Sequence, residues 1–148
     1  MESHSGEELQ KIAAEYALQL VPKASGATLV TLRGELGAGK TTFVQGVAKA
    51  LDVGEVVTSP TFVLEKIYKL EGKKFTHLVH IDAYRLKGAH ELEHLGWEEL
   101  LKDSGNLIVL EWPERVAEAI PEGAIRITFD IAGDGRIITI DGESKNTN

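Results

Sequence analysis

The sequence contains no cysteine, only 4 prolines and few positive charges for its length. Without cysteine the chain cannot form disulfides, bind zinc through thiolates or use a thiol nucleophile. Its 148 residues carry 16 Lys and Arg against 23 Asp and Glu, a net charge of −7. This acidic balance argues against binding nucleic acid through a basic surface of its own, because phosphate backbones attract clustered positive charge.

Long apolar runs are also missing, since none approaches the ~20 residues that span a bilayer. The first residues have neither the basic region nor the apolar core of a signal peptide. With 43% hydrophobic and 26% charged residues, the composition is that of a globular protein. We therefore expect a soluble, cytoplasmic protein that does not bind membranes, with one domain over residues 1–142 and a flexible tail at 143–148.

Alternating and helical spacings predict an α/β fold. Each predicted strand is short and β-branched, and each predicted helix has apolar residues three and four positions apart. Short polar links predict two β-hairpins, so the central sheet should be mixed, with parallel and antiparallel strands. Helices are predicted at 5–20, 41–51, 89–101 with an interruption at Gly96, and 114–120; strands are predicted at 28–32, 62–70, 75–81, 106–111, 125–131 and 136–140.

The strongest motif is a glycine-rich loop between the first predicted strand and the second helix. Residues 34–41, Gly-Glu-Leu-Gly-Ala-Gly-Lys-Thr, match the phosphate-loop pattern in full. Glycines let backbone N–H groups converge on phosphate oxygens, and the helix N-terminus adds positive potential. Lys40 would neutralise the β- and γ-phosphates of ATP, the Thr41 hydroxyl would bind Mg²⁺, and Thr42 would bind the α-phosphate.

A phosphate loop needs a carboxylate on the metal side, and two predicted strands end in one. Glu111 follows the more continuously apolar strand, which we expect to lie beside the loop strand, so we assign Mg²⁺ binding to Glu111, directly or through water. Asp82 would orient the attacking water or tune the metal shell. Either acid has an alternative role as a strand-end cap or as an ion-pair partner of Arg85 or Arg115.

Three other patterns leave alternatives open. Residues 58–61, Thr-Ser-Pro-Thr, suit either a nucleotide-sensing switch or a simple turn. Residues 90–94 match His-Glu-x-x-His, but the segment is short and charged and no third zinc ligand follows, so a solvated helix face is the better interpretation. A guanine-reading motif is missing, which disfavours a GTPase. A small-molecule kinase remains an alternative, although such enzymes usually stabilise the transferred phosphate with several arginines and the five arginines of this chain are scattered.

Taken together, the motifs resemble one known family. Residues 34–43, Ser-Pro-Thr-Phe at 59–62, His-Ile-Asp-Ala-Tyr-Arg-Leu at 80–86, Glu-Leu at 91–92, Gly96 and Glu-Trp-Pro-Glu at 111–114 occur in the family's order and spacing. From about Gly26 to Ile140 the chain resembles the TsaE family, the small bacterial P-loop ATPases of tRNA threonylcarbamoyladenosine modification. Glu35 departs from the Asp common in the family, and the segment around Ser5 aligns poorly and is left unassigned.

The resemblance implies a three-layer P-loop NTPase fold and a function. Such proteins are Mg-dependent ATPases that are weak alone; they bind the TsaB–TsaD heterodimer, and their ATP hydrolysis supports threonylcarbamoyl transfer to the adenosine beside the anticodon. The chain would then meet tRNA only through that complex and would be a monomer or weak oligomer alone. The implied site comprises the phosphate cradle Gly37, Ala38, Gly39, Lys40, Thr41 and Thr42; the Mg²⁺ ligands Thr41 and Glu111; Asp82 and Thr61 as catalytic or switch residues; Trp112 fixing the loop after Glu111; and the pair Gly135 and Arg136 on the base side of the nucleotide. An ATP-gated binding module with negligible hydrolysis is the non-enzymatic alternative.

Overall fold

A computed structural model describes residues 1–35, 37–55 and 65–141. Within these ranges seven strands form one sheet, with three α-helices and two 3₁₀ helices around it. The strands are β1 (Glu2–Ser3), β2 (Thr28–Arg33), β3 (Glu65–Lys69), β4 (His77–Asp82), β5 (Asn106–Glu111), β6 (Ile125–Ala132) and β7 (Gly135–Asp141). The α-helices are α1 (Gly6–Gln19), α2 (Lys40–Ala50) and α3 (Trp97–Lys102), and the 3₁₀ helices cover Ala89–Leu95 and Pro113–Ala119.

The sheet is mixed, as its short links predict. In the spatial order β1-β7-β6-β2-β5-β4-β3, the central strands β6, β2, β5 and β4 run parallel. The outer strands are antiparallel, because β3 pairs with β4, β7 with β6, and β1 with β7. The turn before β7 places Gly133 at a positive φ of 62°, a conformation that favours glycine. The prediction of two hairpins is confirmed.

Helices cover both faces of the sheet and give three layers. On one face α1 and α2 bury Leu9, Ala13 and Phe43 against the sheet. On the other face α3 and the 3₁₀ helices bury Leu92, Trp97 and Val116. All six residues of β5 are buried, which fits a central strand with both faces covered. The structure therefore has the predicted α/β three-layer P-loop fold with a mixed sheet.

The helix starts follow the local sequence closely. Ser5 caps α1 by accepting a hydrogen bond from the N–H of Glu8 at 3.0 Å.

The predicted helix over 89–101 is divided at Gly96, whose φ is 74°. Before that glycine the segment is a 3₁₀ helix rather than an α-helix. The strand β1 is an addition that the sequence pattern did not predict.

This local geometry bears on the His-Glu-x-x-His pattern. A 3₁₀ helix has about three residues per turn, so positions four apart do not share a face as they do on an α-helix. His90 and His94 are exposed. Among the residues that the structure describes, no three His, Cys, Asp or Glu side chains are grouped to hold a metal ion. The solvated-face interpretation is the better one.

Some predictions fall on residues outside the described ranges. These are the first part of the predicted strand at 62–70, the hydroxyl-rich segment 58–61 with Thr61, Leu36 of the glycine loop, and the tail at 143–148. None of the helices in the described ranges is both long and apolar enough to cross a membrane.

Candidate functional site

The glycine loop lies where β2 passes into α2, at the carboxyl edge of the parallel strands. Gly37 and Gly39 have φ values of 81° and 106°, which side-chain-bearing residues rarely adopt. Gly39 is also the N-cap residue of α2, and no side chain caps that helix. The first N–H groups of α2 therefore have no side-chain acceptor, which is the arrangement of an anion site at a helix N-terminus.

The Lys40 side chain folds back into this loop. Its ammonium group donates hydrogen bonds to the carbonyl oxygens of Gly34 and, at 3.2 Å, Glu35. The Nζ atom also lies 4.0 Å from the centroid of the Trp112 ring. Burial lowers the pKa of Lys40, and the nearby carboxylates of Glu111, Glu114 and Asp82 oppose this effect. A positive charge is thus held among loop carbonyls, an aromatic face and several acids.

The two candidate carboxylates end neighbouring strands. Asp82 and Glu111 are paired in the register of β4 and β5, and both are buried. Asp82 Oδ1 accepts a hydrogen bond from the N–H of Tyr84 at 3.0 Å, so Asp82 caps the turn after β4. Glu111 is 2% exposed. The structure brings both acids to the edge of the sheet that carries Lys40.

Glu111 has a partner that the sequence interpretation did not identify. Its Oε2 atom lies 2.6 Å from Nε2 of His80, a side chain with no exposed surface. Side chains alternate along a strand, so His80 and Asp82 share one face of β4. That alternation, combined with a parallel β4–β5 pair, was the available signal for His80.

Part of the loop and of the first turn of α2 lines a small cavity. Thr41 and Thr42, both half-buried, occupy the first turn of α2. A cavity of about 160 Å³ is bounded by Gly37, Gly39 and Thr42 on the loop side. Its other walls come from the chain start and the β6–β7 turn, namely Ser3, His4, Ser5, Gly6, Leu9, Asp134 and Arg136. The N-terminal segment left unassigned from the sequence therefore lies next to the loop.

Gly135 lies at the start of β7, against the N-terminal segment. A Cβ atom there would be 2.9 Å from His4 Nδ1 and 3.1 Å from the Ser3 carbonyl oxygen, so the close approach favours glycine. The neighbouring Arg136 makes the contact with the phosphate loop, since its Nη2 atom donates to the Gly37 carbonyl at 3.1 Å. The resemblance implied Arg136, with Gly135, on the base side of the nucleotide; its contact with the phosphate loop was not predicted.

An aromatic and arginine cluster borders the other side of the loop. Trp112 has a positive φ of 63°, and its N–H donates to the Leu32 carbonyl at 3.1 Å, which anchors the backbone after Glu111. The Tyr84 and Trp112 ring centroids are 4.8 Å apart, and the Arg115 guanidinium lies 5.2 Å from the Tyr84 ring. This cluster lines an open cavity of about 780 Å³.

Comparisons with known proteins identify the family. The sequence model of the family described as threonylcarbamoyl adenosine biosynthesis protein TsaE matches residues 3–138. The chain belongs to the TsaE family. It is 40% identical to the TsaE protein of Streptomyces coelicolor over 86% of this chain and 88% of that protein. It is also 40% identical to that of Treponema pallidum, over 76% of this chain and 81% of that protein.

A solved structure agrees with the TsaE assignment. The fold is similar to the crystal structure of YdiB from Bacillus subtilis, with a TM-score of 0.74 and 31% identity, over 95% of this chain and 82% of that chain. The TsaE match begins at residue 3, further toward the N-terminus than the resemblance from Gly26 onward. It thus includes Ser3 of β1 and all of α1, which contribute to the wall of the cavity beside the loop.

Proposed function

We propose that this TsaE-family protein binds and hydrolyses ATP with Mg²⁺ in tRNA threonylcarbamoyladenosine biosynthesis, acting on a TsaB–TsaD heterodimer. One observation carries the proposal. The Lys40 amine lies within a glycine loop that opens onto an uncapped helix N-terminus, beside two buried carboxylates that end adjacent strands. This arrangement supplies N–H donors and a cation for phosphates, and acids for a metal ion and a water.

Nucleotide binding would exchange the partners of Lys40. Its ammonium group would turn from the carbonyl oxygens of Gly34 and Glu35 toward the β- and γ-phosphates. Phosphate oxygens are charged acceptors, and hydrogen bonds to them are about twice as strong as neutral ones. The residues from Gly37 to Thr42 would donate backbone and hydroxyl groups to the same phosphates.

The residues present fit a Mg²⁺ ion that arrives with the nucleotide. The Thr41 hydroxyl and the Glu111 carboxylate are the hard oxygen donors that Mg²⁺ prefers. Because the described residues include no cluster of three metal-binding side chains, phosphate oxygens and water would complete the shell. Bound Mg²⁺ would neutralise charge that builds up on the transferred phosphate.

Asp82 and Thr61 are proposed for the hydrolytic step. Asp82 Oδ1 is held by the Tyr84 N–H, so the carboxylate has a fixed orientation toward the Lys40 side of the sheet. From that position it would orient the attacking water or a water of the metal shell. Thr61, outside the described ranges, is proposed to sense the γ-phosphate.

The partner and the cellular setting belong to the same proposal. The related proteins of Streptomyces coelicolor and Treponema pallidum are named tRNA threonylcarbamoyladenosine biosynthesis proteins. A net charge of −7 favours contact with tRNA through the TsaB–TsaD complex rather than directly. We propose that the chain works in the cytoplasm as a monomer or weak oligomer that joins that complex.

Phosphate release in the presence of purified TsaB–TsaD tests this function. The wild type should hydrolyse ATP with Mg²⁺, and Lys40→Ala should abolish turnover while circular dichroism shows an intact fold. Asp82→Ala should lower partner-stimulated turnover, and Glu111→Ala should impair Mg²⁺-dependent hydrolysis more than nucleotide binding. Unchanged hydrolysis by folded Lys40→Ala would refute the site.

A pull-down with TsaB–TsaD in ATP and in ADP separates the alternatives. An ATPase that acts on the heterodimer should bind it in a nucleotide-dependent way and release phosphate to water. Complex formation with ATP but without hydrolysis would instead indicate a gated binding module. Phosphate found on an organic acceptor would indicate a kinase.

A further inference from the structure

The buried His80 side chain is a polar group at the site that the proposed function does not yet use. Its Nε2 atom is 2.6 Å from Glu111 Oε2, and the two side chains are 0% and 3% exposed. Charge-assisted hydrogen bonds to a carboxylate are short and strong, and this one is shielded from water. The pair joins β4, two residues before its end at Asp82, to the last residue of β5.

The surroundings of the imidazole ring assign its proton. His80 Nδ1 is buried without a hydrogen-bond partner among the described residues. A proton there would leave a buried donor unsatisfied, which costs about 1–3 kcal/mol. Without that proton, Nδ1 is an acceptor with a lone pair, and no buried N–H group is left unpaired. The neutral tautomer with hydrogen on Nε2 therefore fits, and that hydrogen is donated to Glu111.

This hydrogen bond determines what the carboxylate of Glu111 can do. With one lone pair of Oε2 taken by the His80 N–H, Oε1 is the oxygen with both lone pairs left for a cation or its bound water. The bond also fixes the carboxylate plane, since His80 is itself immobilised by packing in the sheet. Groups that orient metal-binding carboxylates typically change metal affinity or activity by about 10–100-fold when removed.

We propose that His80 is a positioning residue that holds Glu111 in a one-oxygen orientation toward the cation accompanying the nucleotide. The inference rests on the proposed function for the presence of that cation. It adds a role for His80 that acts through Glu111 and not on the nucleotide. Removing the N–H donor should therefore weaken Mg²⁺ binding and leave metal-free nucleotide binding nearly unchanged.

Two substitutions at residue 80 separate this role from packing. Glutamine places an amide nitrogen near the position of His Nε2 and keeps a donor, whereas leucine has similar bulk and no donor. His80→Leu should raise the Mg²⁺ concentration for half-saturation of the ADP complex by about 10–100-fold. Its ADP affinity in EDTA should stay within about twofold of wild type, and His80→Gln should recover most of the Mg²⁺ affinity.

Three results would overturn the positioning role. The first is an unchanged Mg²⁺ half-saturation in folded His80→Leu. The second is a loss of ADP affinity in EDTA, in the same variant, as large as its loss of Mg²⁺ affinity. The third is a His80→Gln variant whose Mg²⁺ affinity is as impaired as that of His80→Leu. Wild-type protein that binds no nucleotide with Mg²⁺ would instead overturn the proposed function itself. Circular dichroism and thermal unfolding of each variant confirm that the fold is retained.

A measurement on metal-free wild-type protein tests the pair without nucleotide and holds even if His80→Leu does not fold. In ¹⁵N-histidine-labelled protein, the His80 resonances should report a proton on Nε2 and none on Nδ1. The Nε2 proton should resonate far downfield, as in a short hydrogen bond, and should shift in Glu111→Gln. A missing proton on Nε2, or no response to Glu111→Gln, would contradict the proposal.

Discussion

Replacing Gly46 with alanine tests how closely α1 and α2 pack behind the phosphate loop. A Cβ atom at Gly46 would lie 2.4 Å from the Gln10 carbonyl oxygen, 2.8 Å from Gln10 Cα and 2.8 Å from Ala13 Cβ. Ordinary contacts begin at 3.4 Å, so the helices would have to separate by about 1 Å. Two of these atoms belong to the α1 backbone and cannot rotate away.

The expected magnitude follows from two opposing effects. Overpacking a tight contact costs about 1–3 kcal/mol, and the backbone atoms place this case near the upper end. Alanine in a helix interior gains about 1 kcal/mol over glycine. The net loss should be about 2 kcal/mol, which lowers the melting temperature by roughly 4–8 °C in a chain of this size.

Thermal and urea unfolding followed by circular dichroism measure this loss. Gly6→Ala is the matched control, because a Cβ at that α1 position meets only Thr42 Cγ2, at 3.9 Å. It should change the free energy of unfolding by less than about 0.5 kcal/mol. If Gly46→Ala is as stable as the wild type or as Gly6→Ala, the close helix contact does not limit packing and the reasoning is wrong.

Three further predictions concern charged side chains. Burial lowers the pKa of Lys40 below its ordinary 10.5, so ADP affinity measured by calorimetry should fall as pH rises through that lowered pKa. The free energy of unfolding should rise over the same range up to pH 10.5, because Lys40 loses its proton at a lower pH in the folded state than in the unfolded state. A flat affinity profile up to pH 10.5 would contradict this prediction. Arg136→Ala removes the hydrogen bond to Gly37 and should weaken ADP binding by about tenfold or less, with stability nearly unchanged; unaltered ADP affinity would exclude a role for this contact. Burial raises the pKa of Glu65 above 4.5, so Glu65→Gln should be more stable than wild type at pH 7, where the wild-type carboxylate is charged. In urea unfolding this advantage should shrink as the pH falls toward 5 and Glu65 takes up a proton. A variant less stable than wild type at pH 7 would refute the prediction.

Much of the fold follows from local sequence patterns. The short links of the two hairpins dictate antiparallel outer strands, and the purely apolar run of β5 dictates a central position beside β2. Acids at the ends of two such strands meet because parallel strands share one carboxyl edge. Asp82 and Glu111 were therefore predictable as neighbours of the loop.

What the sequence did not reveal depends on contacts between distant segments. The two-residue strand β1 has no pattern of its own and forms because β7 offers it an edge at residues 136 and 137. The His80–Glu111 hydrogen bond requires the β4–β5 register, which periodicity alone does not determine. Arg136 reaches Gly37 only because the last hairpin folds back beside the loop.

The central claim is that Lys40 and the glycine loop bind the phosphates of ATP. Equilibrium binding of ATP with Mg²⁺, measured by calorimetry on wild type and Lys40→Ala, tests it most directly. A hydrogen bond to a charged group contributes about 1.5–3 kcal/mol, so the variant should bind at least about tenfold more weakly while keeping its fold. Equal ATP affinity of the two folded proteins would contradict the account.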